Sequence, residues 1–315
     1  MAPHHIVSTL PTRPFTLADA QDAGVERSQL SRLTIDGELR RMLNGVYVPS
    51  YVADSVGLRC EALRLVVPAD VFICDRTAAW LHGATGALAP GEHQGVPLVS
   101  MFRASDAGRV RNPITDSGER RIRPSDVMEL HGLRVTTPLR TALDLGRLQR
   151  TVDLRLAGLD AMLRLGLFSH DELLAEVSRF DKQRGVVVLR VLALRADGGA
   201  ASFAESALRN RWCDAGLPRP QTQIPIEVDG VVRFFLDMGI EDWLLAAEYD
   251  GEEWHGEEHA EHDDSRRTWL ETERAWQIEV FRKEHTFGHH QDAEQRLHRC
   301  AAAARAMLDR RRTFT

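Results

Sequence analysis

The sequence predicts a multidomain protein of mixed α+β and α/β character, and three observations predict it. Residues 15–50 alternate short helical and strand patterns. The middle of the chain mixes apolar runs with long helical periods. After Ser202 the order reads helix, strand, strand, loop, helix, strand, helix. A chain of 315 residues is long enough for two or three such domains. Hydrophobic content of 43% and charged content of 27% fit an ordinary soluble chain. No apolar run approaches the length of a membrane helix. The stretch "MAPHHIVSTLPTRPF" lacks the apolar centre of a signal peptide. Cys60, Cys74, Cys213 and Cys300 lie far apart with no C-x-x-C, which points to a reducing cytoplasm and away from a thiolate zinc site.

"FTLADAQDAGVERSQLSRLTIDGELRRMLNGVYVPS" justifies the first element set. Thr16 is a helix cap for Leu17, Ala18 and Ala20, and Gly24 ends that helix. A second helix from about Glu26 is expected to turn Leu30, Leu33 and Ile35 inward. It leaves Arg27, Ser28, Gln29 and Arg32 outward. Asn44-Gly45 is a strong hairpin signal within "LRRMLNGVYVPS", whose entry carries Arg40 and Arg41. Helix, turn, helix and hairpin make the layout of a winged helix-turn-helix, so residues 1–50 are read as a DNA-binding domain.

Residues 51–195 read as a mixed α/β and helical domain. Ala62–Val67 and Val71–Cys74 are apolar. "DRTAAWLHGATG" predicts a helix from about Asp75, and "LRVTTPLRTALDLGRL" a strand, a turn at Pro138 and a helix. Between them a basic loop is expected, with Arg103, Arg109, Arg111, Arg120, Arg121 and Arg123. Leu154, Leu159, Met162, Leu163 and Leu165 mark helices, with Ser169 as a cap. "ADGGAAS", residues 196–202, reads as a linker. Residues 15–50, "DRTAAWLHG" and "GLRVTTPLRTALDL" resemble the AbiEi family of antitoxin-like proteins. That resemblance, over most of residues 10–195, implies a winged helix, a mixed domain and repression of the protein's own operon.

Charge is concentrated rather than spread. The formal net charge is −6, yet residues 200–265 hold 4 arginines against 16 acids, a net of −12. Residues 1–150 hold 18 arginines against 16 acids, and residues 266–315 hold 11 basic residues against 7 acids. An acidic stretch is a solvated face or a cation site. Lysine occurs only at Lys182 and Lys283, a compositional habit that gives the many arginines no weight as a class.

Residues 203–315 form the remaining domain. "SFAESALRNRWCDAG" predicts an amphipathic helix closed by Gly216. "QTQIPIEVDGVVRFFLDMGI" predicts a hairpin at Asp229-Gly230, "WLLAAEYDG" a buried strand, "SRRTWLETERAW" a helix and "QIEVFR" a strand. This order, with Asp237 ending the second strand and Glu248 on the third, resembles the αβββαβ core of the PD-(D/E)XK nuclease superfamily. It is most similar to the very-short-patch-repair-like endonucleases, through Asp237, Glu248, Asp250, His255, Asp264, Arg267 and Arg282. Glu205 matches a glutamate on their leading helix.

The resemblance implies a metal-dependent DNA endonuclease using Mg2+ or Mn2+. Asp237, Glu248 and Asp250 would be metal ligands, with the Tyr249 carbonyl beside them. Glu205 and His255 would join the catalytic set. The superfamily lysine is missing, since Asp250 stands two residues after Glu248. That leaves His255 or His259 for the lysine's electrostatic role. DNA is the expected partner, with a homodimer or a toxin–antitoxin or defence partner beside it, and no membrane. A second reading stays open: a non-enzymatic regulator or antitoxin with a degenerate nuclease fold. "HGEEH" also matches the H-x-x-E-H of inverted zinc peptidases, but its place directly after a strand favours a loop.

Overall fold

The computed structural model describes residues 6–84, 86, 98–110, 115–251 and 257–313. They divide into two compact units, Met1–Leu145 and Gly146–Thr315.

In the first unit, β1 (Phe15–Thr16) leads into α1 (Leu17–Asp22) and α2 (Arg27–Ile35). Thr16 caps α1: its Oγ1 accepts from the Asp19 N–H, while Asp19 Oδ2 accepts from the Thr16 N–H at 2.7 Å. These bonds hold the Asp19 carboxyl below its ordinary range. Gly24 takes φ +80 between the helices, where a β-carbon would be strained. The hairpin of β2 (Leu39–Leu43) and β3 (Val46–Pro49) turns at Gly45, also at φ +80. The sheet order is β1-β3-β2. Val7, Leu10, Phe15, Ala20, Val25, Leu30, Leu33 and Leu39 form the core beneath it. Ile35, expected inside, is 85% exposed. It lies two residues past Leu33 and five past Leu30, which turns it to the opposite helix face.

The larger sheet of this unit has the order β6-β5-β4-β8-β7. Its strands are β4 (Phe72–Ile73), β5 (Val99–Ala104), β6 (Thr115–Arg120), β7 (Val127–Leu130) and β8 (Leu133–Thr136). Helices α3 (Val56–Arg64), α4 (Asp75–His82) and α5 (Pro138–Leu148) accompany it. Pro138 is the first residue of α5 rather than a turn, because a proline there forfeits no helical hydrogen bond.

The expected basic loop is in part a pair of strands, and two of its arginines, Arg103 and Arg120, are paired within the fold. Arg103 on β5 pairs with Asp70 at 2.8 Å. Arg120, at the end of β6, is buried and reaches Asp75 at 2.5 Å and Asp144 at 3.1 Å. Asp144 also accepts from Arg140 Nε at 2.8 Å, and Arg140 Nη1 reaches Asp126 at 2.7 Å. Five buried or nearly buried charges therefore tie together β6, α4, α5 and the turn before β7. Arg111 lies outside the described residues.

In the second unit, α6 (Val152–Arg164), α7 (His170–Val177) and α8 (Val186–Arg195) precede α9 (Phe203–Asp214). Ser169 caps α7 through the Glu172 N–H. Residues 196–202, expected as a linker, carry no helix or strand but are pinned within the unit. The Asp197 N–H donates to Asp160 Oδ1 at 2.9 Å, Arg164 Nη1 donates to the Gly199 carbonyl, and Ala200 is buried. Helix α9 is itself clamped to α6. Arg209 pairs with Asp160, both buried, and Arg211 pairs with Asp153 at 2.7 Å.

A four-stranded sheet follows, ordered β12-β11-β10-β9. β9 (Gln221–Val228) and β10 (Val231–Ile240) form a hairpin turning at Asp229 and Gly230, both at positive φ. β11 (Leu245–Tyr249) runs antiparallel to β10 and parallel to β12 (Gln277–Phe281). A parallel neighbour requires a crossover, which α10 (Glu257–Glu273) supplies. It begins eight residues before the expected Ser265, so Glu257–His259 of "HGEEH" is helical rather than a loop. The sheet is covered on both sides. Leu208 and Trp212 of α9 and Leu297 and Cys300 of α11 (Ala293–Thr313) pack with Met238, Leu245, Ala247 and Phe281. Leu270 of α10 packs with Ile224, Leu236, Ala246 and Ile278. Burial on both faces explains why β11 reads as an unbroken apolar run up to Glu248. Among the described residues no helix is long and apolar enough to cross a membrane.

Candidate active site

Glu205 stands in the first turn of α9. Ser202 Oγ accepts the Glu205 N–H at 3.1 Å, and Glu205 Oε2 accepts the Ala201 N–H at 2.8 Å. The "SFAE" spacing thus closes the helix start and sets the glutamate's rotamer. Burial first, and the charge of Asp237 second, push the Glu205 carboxyl up to about 7, against the bonds from Ala201 and Ser202.

Asp237 belongs to β10 but does not end it, since the strand continues to Ile240. The pairing with β11 covers Met238↔Ala247, Gly239↔Ala246 and Ile240↔Leu245. Just beyond these pairs the Tyr249 N–H donates to Asp237 Oδ2 at 2.8 Å. The carboxylate takes a backbone donor where the two strands part. Burial pushes the Asp237 carboxyl above its ordinary range, opposed by that N–H and by the charge of Arg266.

Glu248 is buried on β11. Arg266 Nη2 of α10 lies 3.3 and 3.5 Å from its two oxygens, and Arg267 Nε lies 3.8 Å from Oε2. Asp250, one residue past β11, is tied elsewhere: its carboxylate accepts from Arg282 at 3.2 Å, and its N–H donates to the Phe281 carbonyl at 2.8 Å.

Glu205 on α9 therefore feels the charge of Asp237 on β10, and Arg266, bonded to Glu248, acts on Asp237 by its charge alone. The structure places Asp250 against Arg282. His255 lies outside the described residues. Among the described residues, no group of three or more His, Cys, Asp or Glu side chains stands ready-made to hold a metal ion. The donor chemistry nevertheless fits a hard divalent cation. The acids offer only oxygens, and the raised Glu205 and Asp237 carboxyls are a half-buried pair that a cation would relieve. Arg266 is the site residue that sequence reasoning passed over. Its signal was the adjacent "RR" on the helix after the acids, but pairing over 18 residues is not a local pattern.

In the first unit, Arg27, Ser28, Gln29 and Arg32 lie exposed along α2. Gln29 Oε1 accepts the Glu26 N–H at 2.8 Å, so part of its amide serves the helix start. Arg41 on β2 is exposed and bonds to Asn44 of the hairpin turn, while Arg40 is half-buried and donates to the Val52 carbonyl at 3.0 Å.

The family described as AbiEi antitoxin C-terminal domain matches residues 71–193. The match takes in "DRTAAWLHG" and "GLRVTTPLRTALDL" and leaves out residues 15–50. The uncharacterised proteins Rv2248 and MT2308, from two strains of Mycobacterium tuberculosis, are each 32% identical to this chain over 230 residues. That covers 73% of this chain and 80% of theirs. The crystal structure of the Rv2827c protein from Mycobacterium tuberculosis aligns with a TM-score of 0.32 at 13% identity, over 70% of this chain and 82% of that one.

Proposed function

The chain belongs to the family of Rv2248 and carries an AbiEi antitoxin C-terminal domain at residues 71–193, and on that premise we propose a toxin–antitoxin or defence protein whose last third is a metal-dependent DNA endonuclease. Residues 15–50, with two helices followed by a hairpin, are read as a winged helix-turn-helix that contacts DNA phosphates and base edges through Arg27, Ser28, Gln29 and Arg32.

One observation carries the nuclease reading: Glu205 on α9 feels the charge of Asp237 on β10, and the buried Glu248 lies on the neighbouring strand β11. The order α9-β9-β10-β11-α10-β12 supports it as the helix and strand order of a PD-(D/E)XK core. Asp237 and Glu248 would hold Mg2+ or Mn2+. The ion would lower the pKa of a bound water and neutralise charge on the phosphate. Tyr249 fixes one Asp237 oxygen and leaves the other to bind. Glu205, at the start of α9, would orient a water at the ion. Asp250 acts at one remove, orienting Arg282.

The test is cleavage of single-stranded, duplex and nicked DNA with magnesium or manganese. The wild-type chain should cut, and Glu248→Gln should reduce cutting by orders of magnitude while leaving DNA binding in place. A specific observation favours a second reading, in which the fold is kept by a non-enzymatic regulator: arginines already neutralise Glu248 and Asp250. No cleavage of any DNA form by the wild type would make that the better account.

A further inference from the structure

Glu248 is 7% exposed, and a carboxylate so placed needs a counter-charge. Arg266 supplies it from α10, and its charge also acts on Asp237. Arg267 Nε stands 3.8 Å from Oε2 on the same helix, so two guanidiniums face Glu248 and Arg266 is the nearer. The hold is loose. Both Glu248 oxygens face the same Nη2 at 3.3 and 3.5 Å, longer than the roughly 2.7–2.9 Å of a charge-assisted bond, with no two-nitrogen fork. Arg266 Nε is buried with no hydrogen-bond partner. The guanidinium also lies 5.3 Å from the centre of the Phe234 ring, a second seat for a cation.

We propose that Arg266 is the resident cation of Glu248, and that a divalent metal binds there by displacing it. The proposal rests on the nuclease reading for the identity of the incoming ion. Arg266 offsets the Glu248 charge in the metal-free chain. It brings from the helix a positive charge that the strand lacks, since Asp250 occupies the position two after Glu248. Metal entry therefore works against an ion pair, and the apparent affinity is lowered by that competition.

The experiment is calorimetric titration of the full chain with Mn2+, for wild type, Arg266→Gln, Arg266→Lys and Glu248→Gln, each checked for folding by circular dichroism. Arg266→Gln should bind Mn2+ about tenfold more tightly than wild type, the equivalent of losing one modest ion pair. Arg266→Lys, which keeps the charge on a shorter arm without the planar fork, should fall between the two, and it carries the test alone if the glutamine variant does not fold. Glu248→Gln should lose binding. Equal or weaker binding by the Arg266 variants, with binding lost in Glu248→Gln, would overturn the resident cation and leave the metal site standing. No Mn2+ binding by any protein, the Arg266 variants included, would overturn the metal-dependent reading and this proposal together.

Discussion

The Tyr249 N–H donates to Asp237 Oδ2 at 2.8 Å, just beyond the last β10–β11 pair, Met238↔Ala247. A side chain has taken over from the backbone ladder there. The bond orients Asp237 while its other oxygen remains available to a ligand.

Divalent metal should therefore stabilise the fold through Asp237. At a hundred times its dissociation constant, a metal that binds only the folded state adds about 2.7 kcal/mol. Asp237→Asn keeps an oxygen for the Tyr249 N–H and removes the charge. Its thermal midpoint should not move with Mn2+, whereas the wild-type midpoint should rise. An equal rise in both would take Asp237 out of the metal site.

Stability without metal should fall as pH rises across the slightly acid range. In the unfolded chain Glu205 ionises near 4.5, but in the fold its carboxyl is pushed up to about 7. Between those values the folded state holds the extra proton, so stability declines from about pH 4.5 and levels off above about 7. Asp237 shifts in the same direction and steepens the decline. Glu205→Gln should flatten the curve of melting temperature against pH. A curve unchanged by the substitution would show that other groups set it.

Asp144 should be a structural keystone of the first unit. It is fully buried between Arg120 and Arg140. Asp144→Asn leaves two buried cations short of a charge, and urea unfolding should show a loss of about 3–5 kcal/mol. A loss below about 1 kcal/mol would mean that Asp75 and Asp126 satisfy both arginines.

DNA binding through α2 should be visible in its salt dependence. Each phosphate contact contributes roughly 0.9 to the slope of log affinity against log salt. Replacing Arg27 and Arg32 with alanine should lower that slope by about 2 in a fluorescence titration. An unchanged slope would place the phosphate contacts elsewhere.

The sequence was most legible where the cause is local. Thr16 and Ser169 cap helices through neighbours three residues away, and Asp229-Gly230 turns a hairpin by its own φ angles. Asp237 and Glu248 could be singled out because a carboxylate in an apolar strand is costly wherever it lies. The partnerships were not legible. Arg120 meets Asp75 across 45 residues and Asp144 across 24, so it read as part of a basic loop while its charge was already matched inside the fold. Arg266 was hidden in the same way. Ile35 failed for a simpler reason: apolarity alone outvoted its helical phase, and the surface kept it.

The clamp between α6 and α9 bears on how this protein can be taken apart. Asp153 and Asp160 sit before the glycine-rich stretch at 196–202, and Arg209 and Arg211 sit after it. A fragment begun at Phe203 would carry Glu205 on a helix stripped of both acids, with Arg209 left without its buried carboxylate. The stretch that looks like a seam for scissors is a weld. The last third cannot be shuffled to another chain as a self-sufficient cassette without the α6 helix on which it leans.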